Sequence, residues 1–233
     1  MSGVHIMDIR RGEDIEAESL RIIESEVPEP RPYQGAQWQV VRRMIHTTAD
    51  FELLKLVRFH PEAIEAGLRA LASGCTLVSD TEMARAGMPE RRLAPLGCTV
   101  RCLMRDPEVM ALSQAQGTTR ARAAVDYAVE RLSPAPAIYV IGNAPTALLR
   151  LLEHVEAGRA NPALIVGMPV GFVNAAESKA LLLAQSAIPY IAIEGRKGGS
   201  ALAACAVNAL AEIALAEIAP KGKAPAGQEG EAK

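Results

Sequence analysis

Between Ala137 and Leu210 the chain repeats one pattern three times, and that pattern leaves few folds open. Ala-Ile-Tyr-Val-Ile runs into Gly-Asn-Ala-Pro-Thr, Ala-Leu-Ile-Val into Gly-Met-Pro-Val-Gly-Phe-Val-Asn, and Tyr-Ile-Ala-Ile-Glu into Gly-Arg-Lys-Gly-Gly-Ser. Each begins as a short, continuously apolar burst rich in Ile and Val, as a strand buried on both faces requires. Each then meets Gly, Asn or Pro and opens into a helical pattern. Strand, turn and helix in succession call for a parallel sheet with right-handed crossovers. In such a sheet the turns emerge at the carboxyl edge of the strands, where ligands bind. Asn143, the stretch from Met168 to Asn174 and the stretch from Arg196 to Ser200 are therefore expected around one crevice.

The rest of the chain fits around that unit. Residues 8–26 read as a leading loop and an amphipathic helix with Ile15, Leu20, Ile22 and Ile23 on its core side, ended by the prolines at 28, 30 and 32. A second helix covers 35–46, and 51–59 fits a short strand or a helical turn. Pro61 starts a helix that runs through Ala72 and stops at Gly74. Thr76 to Val78 is a strand, and Asp80-Thr81 caps a helix over 81–86, its side-chain oxygens accepting first-turn amides. Cys98 to Met104 is the next strand, Asp106-Pro107 opens a helix, and Thr118-Thr119-Arg120 opens another that ends at Leu132.

The expected architecture is single-domain, Rossmann-like α/β. It has a mostly parallel five-stranded sheet (75–79, 98–104, 137–141, 163–167 and 190–194) with helices on both faces. The domain takes residues 1–219. Residues 220–233, rich in Lys, Gly, Pro, Gln and Glu, are expected to be a disordered tail. Helix 201–219 is Ala- and Leu-rich with hardly any charge, so it belongs in the core or against a second subunit, which motivates a homodimer.

A length of 233 residues suits one sizeable domain. A net charge of −2, with three Phe, four Tyr and one Trp, argues against broad electrostatic or stacking contact with nucleic acid. No apolar run is read as reaching membrane-spanning length and Met1 to Arg11 lacks the apolar core of a signal peptide, so a cytoplasmic setting is expected. Cys75, Cys98, Cys102 and Cys205 form no C-x-x-C pair and read as buried small hydrophobes, not metal ligands.

Neither G-x-G-x-x-G nor G-x-x-x-x-G-K-[ST] occurs, so there is no nucleotide signature. Gly195-Arg196-Lys197-Gly198-Gly199-Ser200 is either a plain tight turn or a glycine nest that takes a carboxylate or phosphate at a helix start. Arg120, at another helix start, is either solvated or aimed at a bound anion, because a cation is unfavourable beside the positive helix end. Of His5, His46, His60 and His154, His46 lies at a helix end beside two hydroxyls. It is a structural histidine or, with Arg43 one turn earlier, a proton donor active near neutrality.

Several longer motifs carry a resemblance. Arg43-Met44-Ile45-His46, Asp80-Thr81-Glu82-Met83, Gly117-Thr118-Thr119-Arg120, Ile141-Gly142-Asn143-Ala144-Pro145-Thr146, Gly167-Met168-Pro169-Val170-Gly171-Phe172-Val173, Ala176-Glu177-Ser178-Lys179 and Gly195 to Ala201 resemble those of the precorrin-8X methylmutase family. The likeness spans nearly the whole chain to about Leu210. It implies an isomerase of cobalamin biosynthesis that moves a methyl group from ring carbon C-11 to C-12 of a corrinoid macrocycle, giving hydrogenobyrinate or its cobalt form. It also implies His46 as proton donor and substrate contacts from Ser19, Arg43, Arg120 and the glycine-rich turn ending at Ser200. Asp80, Thr81, Asn143, Arg196, Lys197 and Gly199, within the matching motifs, complete the expected substrate-binding set. A methyl shift has no redox step, so no cofactor and no protein-bound metal is expected; the partners are the corrinoid substrate and product. A corrinoid-binding protein without catalysis is the alternative.

Overall fold

The computed structural model describes residues 7, 10–132 and 137–218; His5 and the expected tail lie outside them. In chain order the elements are α1 (Gly12–Glu26), α2 (Gly35–Thr48), α3 (Leu53–Leu56), β1 (Val57–Phe59), α4 (Ala63–Ala72), β2 (Thr76–Ser79), α5 (Glu82–Gly87), α6 (Glu90–Leu93) and β3 (Thr99–Cys102). They continue with α7 (Pro107–Ala115), α8 (Arg120–Leu132), β4 (Ala137–Ile141), α9 (Pro145–Glu156), β5 (Leu164–Gly167), α10 (Ala175–Ala184), β6 (Tyr190–Ile193) and α11 (Ser200–Ile218).

The strands form one sheet in the order β1-β6-β5-β4-β2-β3. All neighbours are parallel except β1, which runs against β6 with Val57 opposite Ile193. Alternate residues of each strand enter different cores, as the two-fold pleat demands. Leu77, Ile138, Val140, Leu164, Val166, Ile191 and Ile193 pack with α1, α2, α4 and α11. Val78, Tyr139, Ile141, Ile165 and Ala192 pack with α7, α8, α9 and α10. Burial on both sides is why these strands read as continuous apolar bursts.

The strand order reverses between β2 and β4. From β2 the chain builds outward to β3, and from β4 it builds the other way through β5 to β6. In an open α/β sheet such a reversal separates the carboxyl ends of two neighbouring strands and marks where a ligand crevice opens.

Two expectations need correction. The sheet has six strands, not five. The added strand, β1, is a three-residue edge strand inside the 51–59 stretch, which the sequence leaves open between a strand and a helical turn. Second, Ser200–Ile218 is a helix long and apolar enough to cross a membrane. Asn208, Glu212 and Glu217 interrupt the run in sequence yet leave its average strongly apolar. That apolar surface is spent inside the fold: every residue from Leu202 to Ala211 is buried, packed mainly against α2, α4 and α5.

Candidate active site

Asp80, at the end of β2, faces the start of α9 across the reversal point. Its Oδ1 accepts from the Gly142 amide at 3.0 Å, and its Oδ2 accepts from Asn143 at 2.8 Å and Ala144 at 2.7 Å. Where a nucleotide-binding sheet would offer these amides to a phosphate, this chain fills the place with its own carboxylate. Burial pushes the Asp80 carboxyl above the usual carboxylate range, and the three amides pull against that shift. The expected cap of α5 is made by Thr81 alone, whose Oγ1 accepts from the Ala84 amide at 3.0 Å. The Thr81 hydroxyl also meets the Ser200 hydroxyl at 2.8 Å, which ties the end of β2 to the start of α11.

The remaining turns close onto one another through backbone. A Cβ on Gly142 would lie 2.6 Å from the Ser200 Cα, and one on Gly198 would collide with the Met168 carbonyl. Only glycine permits either approach. The Gly199 amide donates to Met168 O at 2.9 Å and the Gly171 amide to Arg196 O at 3.2 Å. The Arg196 guanidinium lies 5.4 Å from the centre of the Phe172 ring, a cation–π arrangement. Phe172 itself is 83% exposed.

The end of α2 joins this edge because of β1. Val57 lies opposite Ile193, so the chain that leads into β1 sits at the carboxyl end of β6. Lys197 fixes it there, donating at 2.5 Å to both Asp50 and Glu52 in the segment after α2. His46 lies in the last turn of α2, just before that tied segment. It is half-buried, and among the described residues its imidazole has no hydrogen-bond partner. The other two described histidines have both nitrogens engaged. His60 contacts Ser186 O and the Glu62 amide, both at 3.2 Å; His154 contacts Asp126 at 2.6 Å and Arg159 at 3.0 Å.

The Precorrin-8X methylmutase family model matches residues 14–213, a span that holds every expected site residue. The chain belongs to the precorrin-8X methylmutase family. It is 45% identical over 206 residues to a cobalt-precorrin-8 methylmutase of Salmonella typhimurium, covering 87% of this chain and 95% of that one. It is 41% identical over 204 residues to a precorrin-8X methylmutase of Sinorhizobium sp, covering 87% and 95%. The solved structure of a precorrin-8X methylmutase from Thermus thermophilus superposes with a TM-score of 0.80 at 45% identity, over 87% of this chain and 98% of that one. This member of the family is accordingly an enzyme, an isomerase of cobalamin biosynthesis.

Apart from His46, the expected substrate contacts fall into three overlapping groups, with Arg196 in two of them. Asn143, Arg196, Lys197, Gly199, Ser200, Thr81 and Asp80 come together at the carboxyl edge, but not all of them face outward with free groups. Both Asp80 oxygens accept from backbone amides and the side chain is buried, so it shapes the turn that carries Asn143. The Gly199 amide and the Lys197 ammonium are likewise committed within the protein.

A second group sits away from those turns. Ser19 donates to Ile15 O on its own helix at 2.8 Å. Arg43 is clasped by Glu16 and Glu212, at the packing of α1, α2 and α11, so its charge is already met. The third group keeps unanswered charge: among the described residues neither Arg120 nor Arg196 pairs with a carboxylate.

Lys179, buried in α10 beneath the glycine-rich turn, is absent from the set expected from the sequence. A signal exists: it lies four residues after buried Ala175 and three before buried Leu182, on the inward side of its helix.

Proposed function

We propose that this enzyme moves the methyl group of precorrin-8X from C-11 to C-12, yielding hydrogenobyrinate, with His46 delivering a proton to the macrocycle. What supports the reading is the half-buried His46 imidazole in the last turn of α2, with neither nitrogen engaged among the described residues. Protonation of a ring nitrogen makes the conjugated system electron-poor and lowers the barrier to migration. One positioned acid contributes about 10²–10⁴-fold. The remainder comes from holding the macrocycle close to its product-like geometry.

The exposed Arg120 and Arg196 meet acetate and propionate side chains of the substrate, as charge-assisted pairs. The Thr81–Ser200 hydroxyl pair and the Asn143 side chain offer neutral donors between them. Arg43 acts one step back, orienting α2 through Glu16 and Glu212. Relatives carry both metal-free and cobalt names, and the same proton step serves either substrate.

The enzyme is further proposed to work in the cytoplasm as a homodimer. Since α11 spends its apolar surface within the chain, support for the dimer comes instead from exposed Met83, Phe172 and Val173. Sedimentation at micromolar concentration checks it: the monomer mass removes the dimer.

His46→Gln tests the chemistry. It should lower turnover by at least about 10²-fold while hydrogenobyrinate binding stays within about threefold of wild type, read by absorbance titration. Retained turnover ends the acid role of His46.

A further inference from the structure

We propose that Lys179 is the positioning residue of the Gly195–Ser200 turn: an ammonium sealed beneath it that fixes its backbone and lends it a positive charge that no carboxylate among the described residues cancels. The inference rests on the reading above, that this turn meets carboxylates of the macrocycle.

Lys179 is 0% exposed, a fully buried lysine. Its Nζ donates to the Lys197 carbonyl at 2.5 Å, and among the described residues it has no other partner and no carboxylate. Burying an ammonium without a counter-charge is costly, and most proteins avoid it. A neutral donor would satisfy one inward-facing carbonyl at far less expense. What an ammonium adds is net charge, delivered from below to the turn whose Gly198 and Gly199 are pressed onto Met168.

The charged groups on the elements around it are all turned elsewhere. In the turn, the Lys197 ammonium lies between Asp50 and Glu52, and Arg196 lies over Phe172. On α9, Arg150, Glu153 and His154 are held by α8, and on β6 the Tyr190 hydroxyl reaches Leu183 O while neighbouring Glu194 pairs with Arg58. Glu156 and its own helix neighbour Glu177 make no ion pair with it. Burial draws the Lys179 ammonium down to about 8, so its charge is present at neutral pH and is the first to be lost as pH rises.

The test compares wild type with Lys179→Met, Lys179→Arg and Arg196→Ala, titrating each with hydrogenobyrinate from pH 6.5 to 9.5 and recording thermal unfolding. Lys179→Met should unfold at or above the wild-type temperature, because it removes a buried charge. At pH 7 it should bind about 10- to 100-fold more weakly, because the turn has lost the positive charge beneath it. Lys179→Arg should recover most of that loss. Wild-type affinity should fall toward the Met variant's as pH rises past about 8, and the Met variant should lack that step.

If Arg196→Ala weakens binding while Lys179→Met matches wild type at every pH, Lys179 only fills space and the proposal fails on its own. If neither variant changes affinity, the turn does not meet the macrocycle, and both readings fall together. Should Lys179→Met not fold, calorimetry on wild type in two buffers of different ionisation heat decides: proton uptake on binding near pH 8 is expected, and its absence overturns the proposal.

Discussion

Two groups of buried charge lie on the same side of the sheet and are built on opposite principles. Between α8 and α9, Asp126 and His154 are both buried and the charged groups pair with one another, although the second Asp126 oxygen has no partner among the described residues. One Asp126 oxygen accepts from Arg150 at 2.5 Å and from His154 Nε2 at 2.6 Å, while Arg159 donates to His154 Nδ1 at 3.0 Å. Arg122 and Arg150 together grip Glu153. Beneath the glycine-rich turn, Lys179 has a carbonyl and, among the described residues, nothing else. The first arrangement clamps two helices; the second holds charge in reserve. A buried network that answers itself has little left for a ligand, whereas one left open costs the fold stability and gains only when something negative arrives.

The contrast is sharpest in stability. Asp126→Ala strands His154 and Arg150 without their acceptor, and should cost about 3 kcal/mol in urea unfolding with turnover of the folded enzyme unchanged. A cost near zero would mean the α8–α9 network is ornamental and the comparison fails. Lys179→Met should leave stability at neutral pH within about 1 kcal/mol of wild type, or raise it.

The pH dependence separates the two further. The folded protein holds Lys179 near 8, below its ordinary 10.5, so between those values the unfolded chain binds more protons and stability rises with pH. That rise should vanish in Lys179→Met, measured as unfolding midpoints from pH 7.5 to 10.

The smallest effect belongs to Glu153. Hydrogen bonds from Arg122, then Arg150, draw it down to about 2, so its contribution is present above about pH 4.5 and fades as pH falls toward 2. Its side chain is 43% exposed, so Glu153→Gln should cost under about 1 kcal/mol at pH 6. A gap between variant and wild type that persists undiminished at pH 2 would show that the pair is held by packing instead of charge.

The same distinction governs what could be read from the chain alone. The strands of the parallel sheet are visible because each is buried on two faces and carries its apolar character locally. β1 falls within 51–59, which the sequence leaves open between a strand and a helical turn, and its three residues are settled as strand only by lying against β6. Thr81 caps the next helix, a local bond between neighbours in sequence. Asp80, one residue earlier, looks like the same device, but its partners are 62 to 64 residues away and belong to another turn.

His46 is one of four histidines, marked by its motif; its position in the chain leaves a structural role equally open. What distinguishes it is that, among the described residues, His60 and His154 have partners and it has none. Arg43, its neighbour in sequence, reads as a substrate cation until the fold sets Glu16 and Glu212 beside it.

The sequence by itself determined the layered α/β plan, the edge at which the turns gather and the family to which they belong, because apolar periodicity and turn chemistry act over a few residues. The tertiary structure alone decided which charges are spent and which remain. Whether an arginine, a carboxylate or a buried lysine is neutralised depends on side chains arriving from distant segments, and Coulomb interactions in a poorly solvated interior are set by those distances and not by order along the chain.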